Sequence, residues 1–434
     1  MQRIQYLKST FKIARMEVYK FGGASINSVD RIKSTAAIIK NAEEKKLLIV
    51  VSALGKTTNA LEKVTEAFFN NRQEEALQLF ESVKTLHLDF AKQLIVKEWR
   101  SAESKLRDFF TEVEWMLHDK PVRPYDYYYD QIVCIGELLS SHILSFYLSE
   151  QGVKNQCLDV RDIIRTDNNF RDAAVDFDFT RHKVDEKILP YFDACNLIIT
   201  QGFIASTDEN ESTTLGREGS DYTAAIFASL LPAEAVTIWK DVEAVMNADP
   251  KEHKNAVNIP ALSYDEVIEM AYYGAQVIHP KTIKPLQNAN IPLFVKSFIK
   301  PKLAGTVINN ATPKNMPPVI VFKQNQVLIK FKSKDFSFTD GPAFDLEVIF
   351  KTLRMKSNLS QHTAISLLYC FDDHPEKPGQ LASKAAEMYD VELERGLTLL
   401  TIRHYDEATL QKLTKNMAVI LMQKTVETVQ VLMK

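Results

Sequence analysis

Cysteine is scarce. The four in 434 residues are Cys134, Cys157, Cys195 and Cys370, with no CxxC pair. That excludes a ribbon-type zinc site and a disulfide framework, and fits a reducing, cytoplasmic setting. An excess of either charge is also lacking. Against 53 Lys and Arg stand 56 Asp and Glu, a net charge of −3, so nucleic acid is not an expected partner. No uninterrupted apolar run approaches the length of a bilayer span, and no membrane partner is expected. Residues 1–15, MQRIQYLKSTFKIAR, carry four basic side chains and no acid. They lack the apolar core of a secretory signal and are expected to be a disordered basic arm or a start-site artefact. Glycine is scarce as well, at 13 residues, so the pair Gly22-Gly23 calls for a reason.

With 45% apolar and 25% charged residues, the composition is that of an ordinary globular protein long enough for two or three domains. Four short apolar runs each end in glycine or polar residues. They are 18–21 before Gly22-Gly23, 47–51 (LLIVV) before Ser52, 197–200 (LIIT) before Gln201-Gly202-Phe203, and 236–239 (VTIW) before Lys240-Asp241. Flanked by helical patterns, such runs predict parallel strands buried on both faces. Between the first two, Val29, Ile32, Ala36 and Ile39 recur at helical spacing behind Ser28, a suitable N-cap. Ligands of open α/β sheets bind beyond the carboxyl ends of the strands, so the four runs predict one crevice. The charged tract 59–120, free of Pro and Gly, predicts two or more solvated helices. A turn at 121–129 is expected next, then a helix with Glu137 near its start.

Two stretches carry chemistry. In EVYKFGGASI (17–26) the glycines allow close backbone approach and Lys20 supplies a mobile positive charge for phosphate. Taken alone, this decapeptide is more simply a tight turn with a surface lysine. STTLGREGSDYTAAIFASLL (212–231) sets a glycine-bearing loop before a helix, whose free N–H groups and positive dipole end suit an anion. Arg217 in that loop can fork onto a carboxylate. Ser220 or Asp221 is also expected to cap the helix.

Together these motifs resemble the aspartate kinases of the amino-acid kinase superfamily. KFGGAS (20–25), VVSALGKTTNAL (50–61), GEL (136–138), TQGFIA (200–205), TTLGREGSDYTAA (213–225), WKDVEAVMNADPK (239–251) and EMAYYGAQVIHPKT (269–282) follow in that family's order. The resemblance implies an α/β kinase domain over about 16–310, three layers (αβα) around a mostly parallel central sheet. It implies phosphoryl transfer from ATP to L-aspartate, giving ADP and 4-phospho-L-aspartate, the first step toward the aspartate-derived amino acids. Lys20 and Asp221 would be catalytic. Ser52, Thr58, Glu137, Phe203, Arg217 and Asp221 would form the aspartate site, with Glu137 on the ammonium and Arg217 on a carboxylate. Lys20, Gly22, Gly23, Gly219, Ser220, Lys240, Asp241, Met246, Lys251 and Gln276 would hold ATP. Mg²⁺ would be carried mainly by the phosphates, without a protein metal site. Another amino-acid carboxylate kinase and a non-catalytic amino-acid sensor are the alternatives.

The match has departures. GRGGSD becomes GREGSD, placing Glu218 where a glycine would be conformationally free. Ala244 and Met246 stand for a glycine and a tyrosine, Lys240 for a threonine, and Gln276 for the lysine of GAK. These changes cluster on the nucleotide side and spare Lys20, Glu137, Arg217 and Asp221, so an active enzyme is expected. After the linker ATPKNMPP, a strand at 327–331, a strand pair ending near Phe371, and strands at 398–403, 418–424 and 427–433 alternate with helices at 344–352, 380–388 and 408–413. This order predicts α+β ferredoxin-like units. By position they resemble the family's tandem, interleaved ACT regulatory domains, here 318–434, expected to join the chain into a homodimer or higher oligomer. Lysine-responsive members carry acids around their effector pocket; 357–366 has none, so strong lysine feedback is not expected. No dinucleotide-binding domain follows, so a fused homoserine dehydrogenase is not expected.

Overall fold

The computed structural model describes residues 16–275, 277–334 and 343–434; the basic arm and Gln276 lie outside them. The chain divides into two compact units. The first runs to Val245 and takes in Pro260–Val267 and Ile278–Thr312; the second comprises Met246–Ile259, Ile268–Val277 and Pro313–Lys434.

The first unit is built on an eight-stranded sheet. Its order is Ala261–Ser263, Thr306–Asn309, Leu293–Ser297, Ala233–Lys240, Met16–Phe21, Lys46–Val51, Leu197–Gln201 and Gln156–Leu158. All neighbours are parallel except Leu293–Ser297 against Thr306–Asn309. The four apolar runs are its central strands, and residues 47–51 are wholly buried, because helices cover both faces. Val29–Lys40, capped by the Ser28 side chain, and Ile135–Glu150 lie on one face; Gly219–Leu230 and Pro280–Ala289 lie on the other.

The charged tract folds into three helices, Thr57–Phe69, Gln73–Leu94 and Trp99–His118, which bury Phe68, Phe80, Phe109 and Phe110. The turn after them is shorter than the sequence suggests, since Tyr125–Val133 is helical. The tyrosine run hides the periodicity. Tyr128 is buried edge-on against Phe68 at 5.1 Å and its hydroxyl accepts from Val122 N at 2.8 Å. Residues Tyr125–Glu150 are long and apolar enough to match a membrane span by composition, but 83% of the most apolar window is buried inside the protein. This is a core helix.

The second unit carries a six-stranded sheet ordered Ser357–His362, Ser366–Asp372, Val319–Ser333, Tyr389–Arg403, Thr428–Met433 and Val419–Lys424, antiparallel throughout. Helices Ala343–Thr352, Lys377–Ala385 and Glu407–Thr414 complete it. Its two central strands are each 15 residues long and serve two cores. Val327, Ile329, Phe331 and Tyr389 pack in one with Leu346 and Leu381. Ile320, Leu400, Ile402 and Val431 pack in the other with Leu410. This antiparallel sheet with helices is an ACT-like arrangement.

Candidate active site

Strand register alone assembles the crevice. Phe21 pairs with Val51 and Trp239, and Val51 with Gln201. One step on, Gly22, Ser52, Gly202 and Lys240 stand in a row at the carboxyl edge of the sheet. Gly23 is glycine because a Cβ there would lie 2.6 Å from the carbonyl oxygen of Ala53 and 2.9 Å from that of Gly55. At Gly22 the added atom would sit 3.4 Å from Lys20 Nζ, leaving little room for a side chain beside the lysine.

A cavity of about 450 Å³ opens here. It gathers ten of the residues expected to contact ligands: Lys20, Gly23, Ser52, Thr58, Glu137, Phe203, Arg217, Gly219, Ser220 and Asp221. Gly22, Lys240 and Asp241 lie at the strand ends outside its lining. Met246 and Lys251 belong to the second unit. The sequence reading missed Ala53, Gly55, Tyr129, Arg171, Thr214, Gly216 and Glu218 as lining residues. Thr214, Gly216 and Glu218 lie inside a recognised motif. Arg171 has no local signal. It arrives because the buried Asp130 carboxylate accepts from Arg171 N at 3.0 Å, from Thr214 N at 2.8 Å and from Thr214 Oγ1 at 2.7 Å.

Four ionisable groups, Lys20, Asp221, Glu137 and Arg217, define the cavity. Lys20 Nζ and Asp221 Oδ1 form an ion pair of 2.5 Å, both largely buried. Burial pushes the Asp221 carboxyl up, but Lys20 and Lys240 outweigh it and hold it below its usual range. Glu137 is 3% exposed. Its Oε1 accepts from Ala53 N at 3.2 Å, while Oε2 is buried without a partner. Burial raises the Glu137 carboxyl to about 8, against the pull of the Ala53 N–H and the Lys20 charge. A buried oxygen left this way costs stability unless a ligand supplies a donor. Arg217 is exposed toward the cavity and has no hydrogen bond or ion pair among the described residues.

Neither Ser220 nor Asp221 caps the helix Gly219–Leu230. The cap position is Glu218, in the left-handed region at φ 55°, and no side chain bonds the first turn. Backbone carbonyls take two of the first amides, Gly219 N donating to Gly216 O and Asp221 N to Glu218 O, each at 3.0 Å, which leaves Ser220 N, in the cavity lining, for an anion. Arg171 and Phe203 also line the cavity with positive φ, 70° and 71°. Among the described residues of the first unit, the other non-glycine residues with positive φ are Asn71, Asn210 and Asn290.

Such a fold, with cations and helix N–H groups at the carboxyl ends of parallel strands, defines an α/β protein built around anionic ligands. A family model described as "Amino acid kinase family" matches residues 15–297. Aspartokinase 1, chloroplastic, of Arabidopsis thaliana is 30% identical over 427 residues, covering 93% of this chain and 69% of that protein. Lysine-sensitive aspartokinase 3 of Escherichia coli is 29% identical over 402 residues, covering 90% and 87%. Bifunctional aspartokinase/homoserine dehydrogenase 2, chloroplastic, of Arabidopsis is 35% identical over 297 residues, 67% of this chain. This chain spans about a third (32%) of that bifunctional relative's length. A crystal structure of E. coli aspartokinase III in complex with aspartate and ADP matches at TM-score 0.81 and 26% identity over 96% of each chain. The chain belongs to the amino acid kinase family, in its aspartokinase branch.

Proposed function

We propose that the protein is an aspartate kinase, transferring the γ-phosphoryl group of ATP to the β-carboxylate of L-aspartate. The observation that carries this reading is the pairing, in one cavity, of a buried carboxylate oxygen without a donor, Glu137 Oε2, and an uncommitted guanidinium, Arg217. An amino acid's ammonium and α-carboxylate fit that pair. The solved complex of the E. coli relative contains aspartate and ADP, which supports the same assignment.

The β-carboxylate oxygen attacks the γ-phosphorus, the bond to the β,γ-bridging oxygen breaks, and ADP leaves with the electron pair. A carboxylate is already nucleophilic, so no general base is required. The enzyme must hold two anions in line and offset the charge that moves onto the bridging oxygen. Lys20 does so, with Asp221 fixing where its ammonium points. The Gly22-Gly23 backbone, the free N–H group of Ser220, and the Lys240-Asp241 strand end form the phosphate side. Asp221 is bound to Lys20, and no three carboxylate, imidazole or thiol groups cluster as a metal site among the described residues. That donor set suits Mg²⁺ arriving on the phosphates, where it shields their charge.

The remaining assignments follow. The protein is cytoplasmic, and the second unit joins copies of the chain. Its sheet ends in the edge strand Val419–Lys424, on which Val419 and Met422 are 45% and 39% exposed, and an open apolar edge favours pairing with a second copy. The test is acyl-phosphate formation, trapped with hydroxylamine, offered aspartate, glutamate and N-acetylglutamate. Hydroxamate should form with aspartate. Formation with glutamate or acetylglutamate instead would identify another carboxylate kinase. Aspartate binding without any hydroxamate would identify a sensor.

A further inference from the structure

Glu218 stands where side chains are disfavoured. Its φ of 55° and ψ of 29° fall in the left-handed region, at the cap of the helix that follows Arg217. A glutamate gains nothing locally there, since its side chain caps no N–H of the helix. A conformation of this kind persists only when contacts from elsewhere hold it. Glu218 Oε2 accepts a hydrogen bond from the backbone N–H of His279 at 2.8 Å. His279 is itself the N-cap of the helix Pro280–Ala289, with its Nδ1 accepting from Lys281 N at 3.2 Å. Lys281 in turn pairs with Asp172, whose Oδ1 lies 2.6 Å from where a Cβ on Gly216 would be. The residues on both sides of Arg217 are therefore gripped: Gly216 by the 171–172 turn, Glu218 by the start of the 280–289 helix. Arg217 is held at its backbone and free at its guanidinium.

We propose that Glu218 is a positioning residue for the substrate: by accepting from His279 N it fixes the Arg217 loop, and so sets the affinity for the carboxylate of the amino acid. A guanidinium preorganised in this way binds without the cost of ordering its loop. The inference rests on the reading of Arg217 as the carboxylate-binding group. It also gives the one charged replacement in the GREGSD loop a task, in place of the conformational freedom it removes.

The experiment compares Glu218→Ala, Glu218→Gln and Glu218→Gly with wild type, measuring KM for aspartate and ATP, kcat and melting temperature. Glu218→Ala should raise the KM for aspartate about tenfold, with kcat and the KM for ATP within about twofold. Glu218→Gln should stay within about threefold of wild type, because its amide oxygen accepts the same N–H. Glu218→Gly should weaken aspartate as the alanine does without lowering the melting temperature, since glycine accepts the positive φ. A wild-type aspartate KM in Glu218→Ala overturns the inference. So does a glutamine variant as poor as the alanine, or an equal rise in both KM values. Arg217→Ala separates the two levels. If it leaves the aspartate KM unchanged, the underlying reading falls; if it raises that KM while Glu218→Ala does not, the inference alone falls.

Discussion

The two units place their irregularities differently. In the first, every positive-φ residue that is neither Gly nor Asn, namely Arg171, Phe203 and Glu218, lines one cavity. In the second, Asn315, Asn325 and Asn416 take most such positions, joined by Arg354 just after a helix and His404 just after a strand, where the chain simply has to turn. Buried polar atoms divide less cleanly, since Gln361 Oε1 in the second unit and Thr282 Oγ1 in the first, outside the cavity, also lack a partner. Gln326, 1% exposed, bonds Asp372 at 2.9 Å and Asn358 at 2.8 Å; Arg403, 8% exposed, reaches Glu269, Thr428 and Glu427 within 3.4 Å. Glu137 keeps one oxygen without a partner. It is the coincidence of strain and an unmet hydrogen bond in one cavity that marks a surface shaped for a ligand.

The strongest test of that contrast is Lys20→Ala. It should lower kcat on the order of a hundredfold or more, with nucleotide affinity falling less. It also leaves the Asp221 carboxylate buried without its partner, at a stability cost of about 3 kcal/mol. The sign follows from Asp221's depressed pKa. Its pairing stabilises the fold above the ordinary aspartate range and is lost as pH falls through the folded value. The variant's deficit in melting temperature should thus be full at pH 7 and shrink in acid. Near-wild-type turnover in a folded variant would remove Lys20 from the mechanism.

Arg217→Ala comes next. Losing a charged, bidentate contact should raise the KM for aspartate about 30-fold and that for ATP little. Because Arg217 makes no hydrogen bond or ion pair among the described residues, the melting temperature should hold within a degree or two. A parallel loss for both substrates would point to collapse of the loop.

Glu137→Gln should weaken aspartate about tenfold, by loss of a charged hydrogen bond, and yet stabilise the free protein. With the folded carboxyl near 8 and the unfolded one near 4.5, the native state holds a proton that the unfolded chain has released. Stability therefore falls as pH rises between those values. The glutamine variant, which has no such group, should melt higher than wild type at pH 8.5 and equally at pH 4.5. Aspartate binding to wild type at pH 7 should release close to one proton, visible as a dependence of the calorimetric heat on the buffer's ionisation enthalpy. A variant less stable at pH 8.5, or binding without proton release, would contradict this account of Glu137.

What could be read in advance follows the same division. The four central strands were legible because burial on both faces leaves a continuous apolar run, and the residues just beyond them because register brings strand ends together. Arg171 was not legible: only the long-range bonds of Asp130 carry it to the cavity. The full lengths of the second unit's central strands were hidden as well. Gln324-Asn325-Gln326 interrupts the first with a bulge and a left-handed residue, and the charges in YDVELERGL break the apolar pattern of the other. Glu218 was visible as an oddity, but its partner His279, 61 residues away, appears only in three dimensions.

The smallest expected effect concerns the second unit. The E. coli relative is a lysine-sensitive aspartokinase, and a lysine effector would need an acceptor for its second ammonium. The strand Ser357–His362 and the residues up to Ser366 supply no acid. A carboxylate bonded to this strand, Asp372, already accepts from Gln326 and Asn358, each at 2.9 Å. A cation is also in place: Lys323 Nζ donates to Asn358 Oδ1 at 2.8 Å, and burial draws its ammonium below its ordinary pKa. A second ammonium would meet repulsion here rather than a free acceptor. An effector changes activity only as far as it prefers one conformation over another. Millimolar lysine should accordingly change the rate by less than about twofold, while a neutral amino acid such as threonine meets no such charge conflict. Sub-millimolar lysine inhibition that vanishes when residues 318–434 are altered would refute this, and would place the acceptor among backbone carbonyls or on a carboxylate outside the 357–366 strand region.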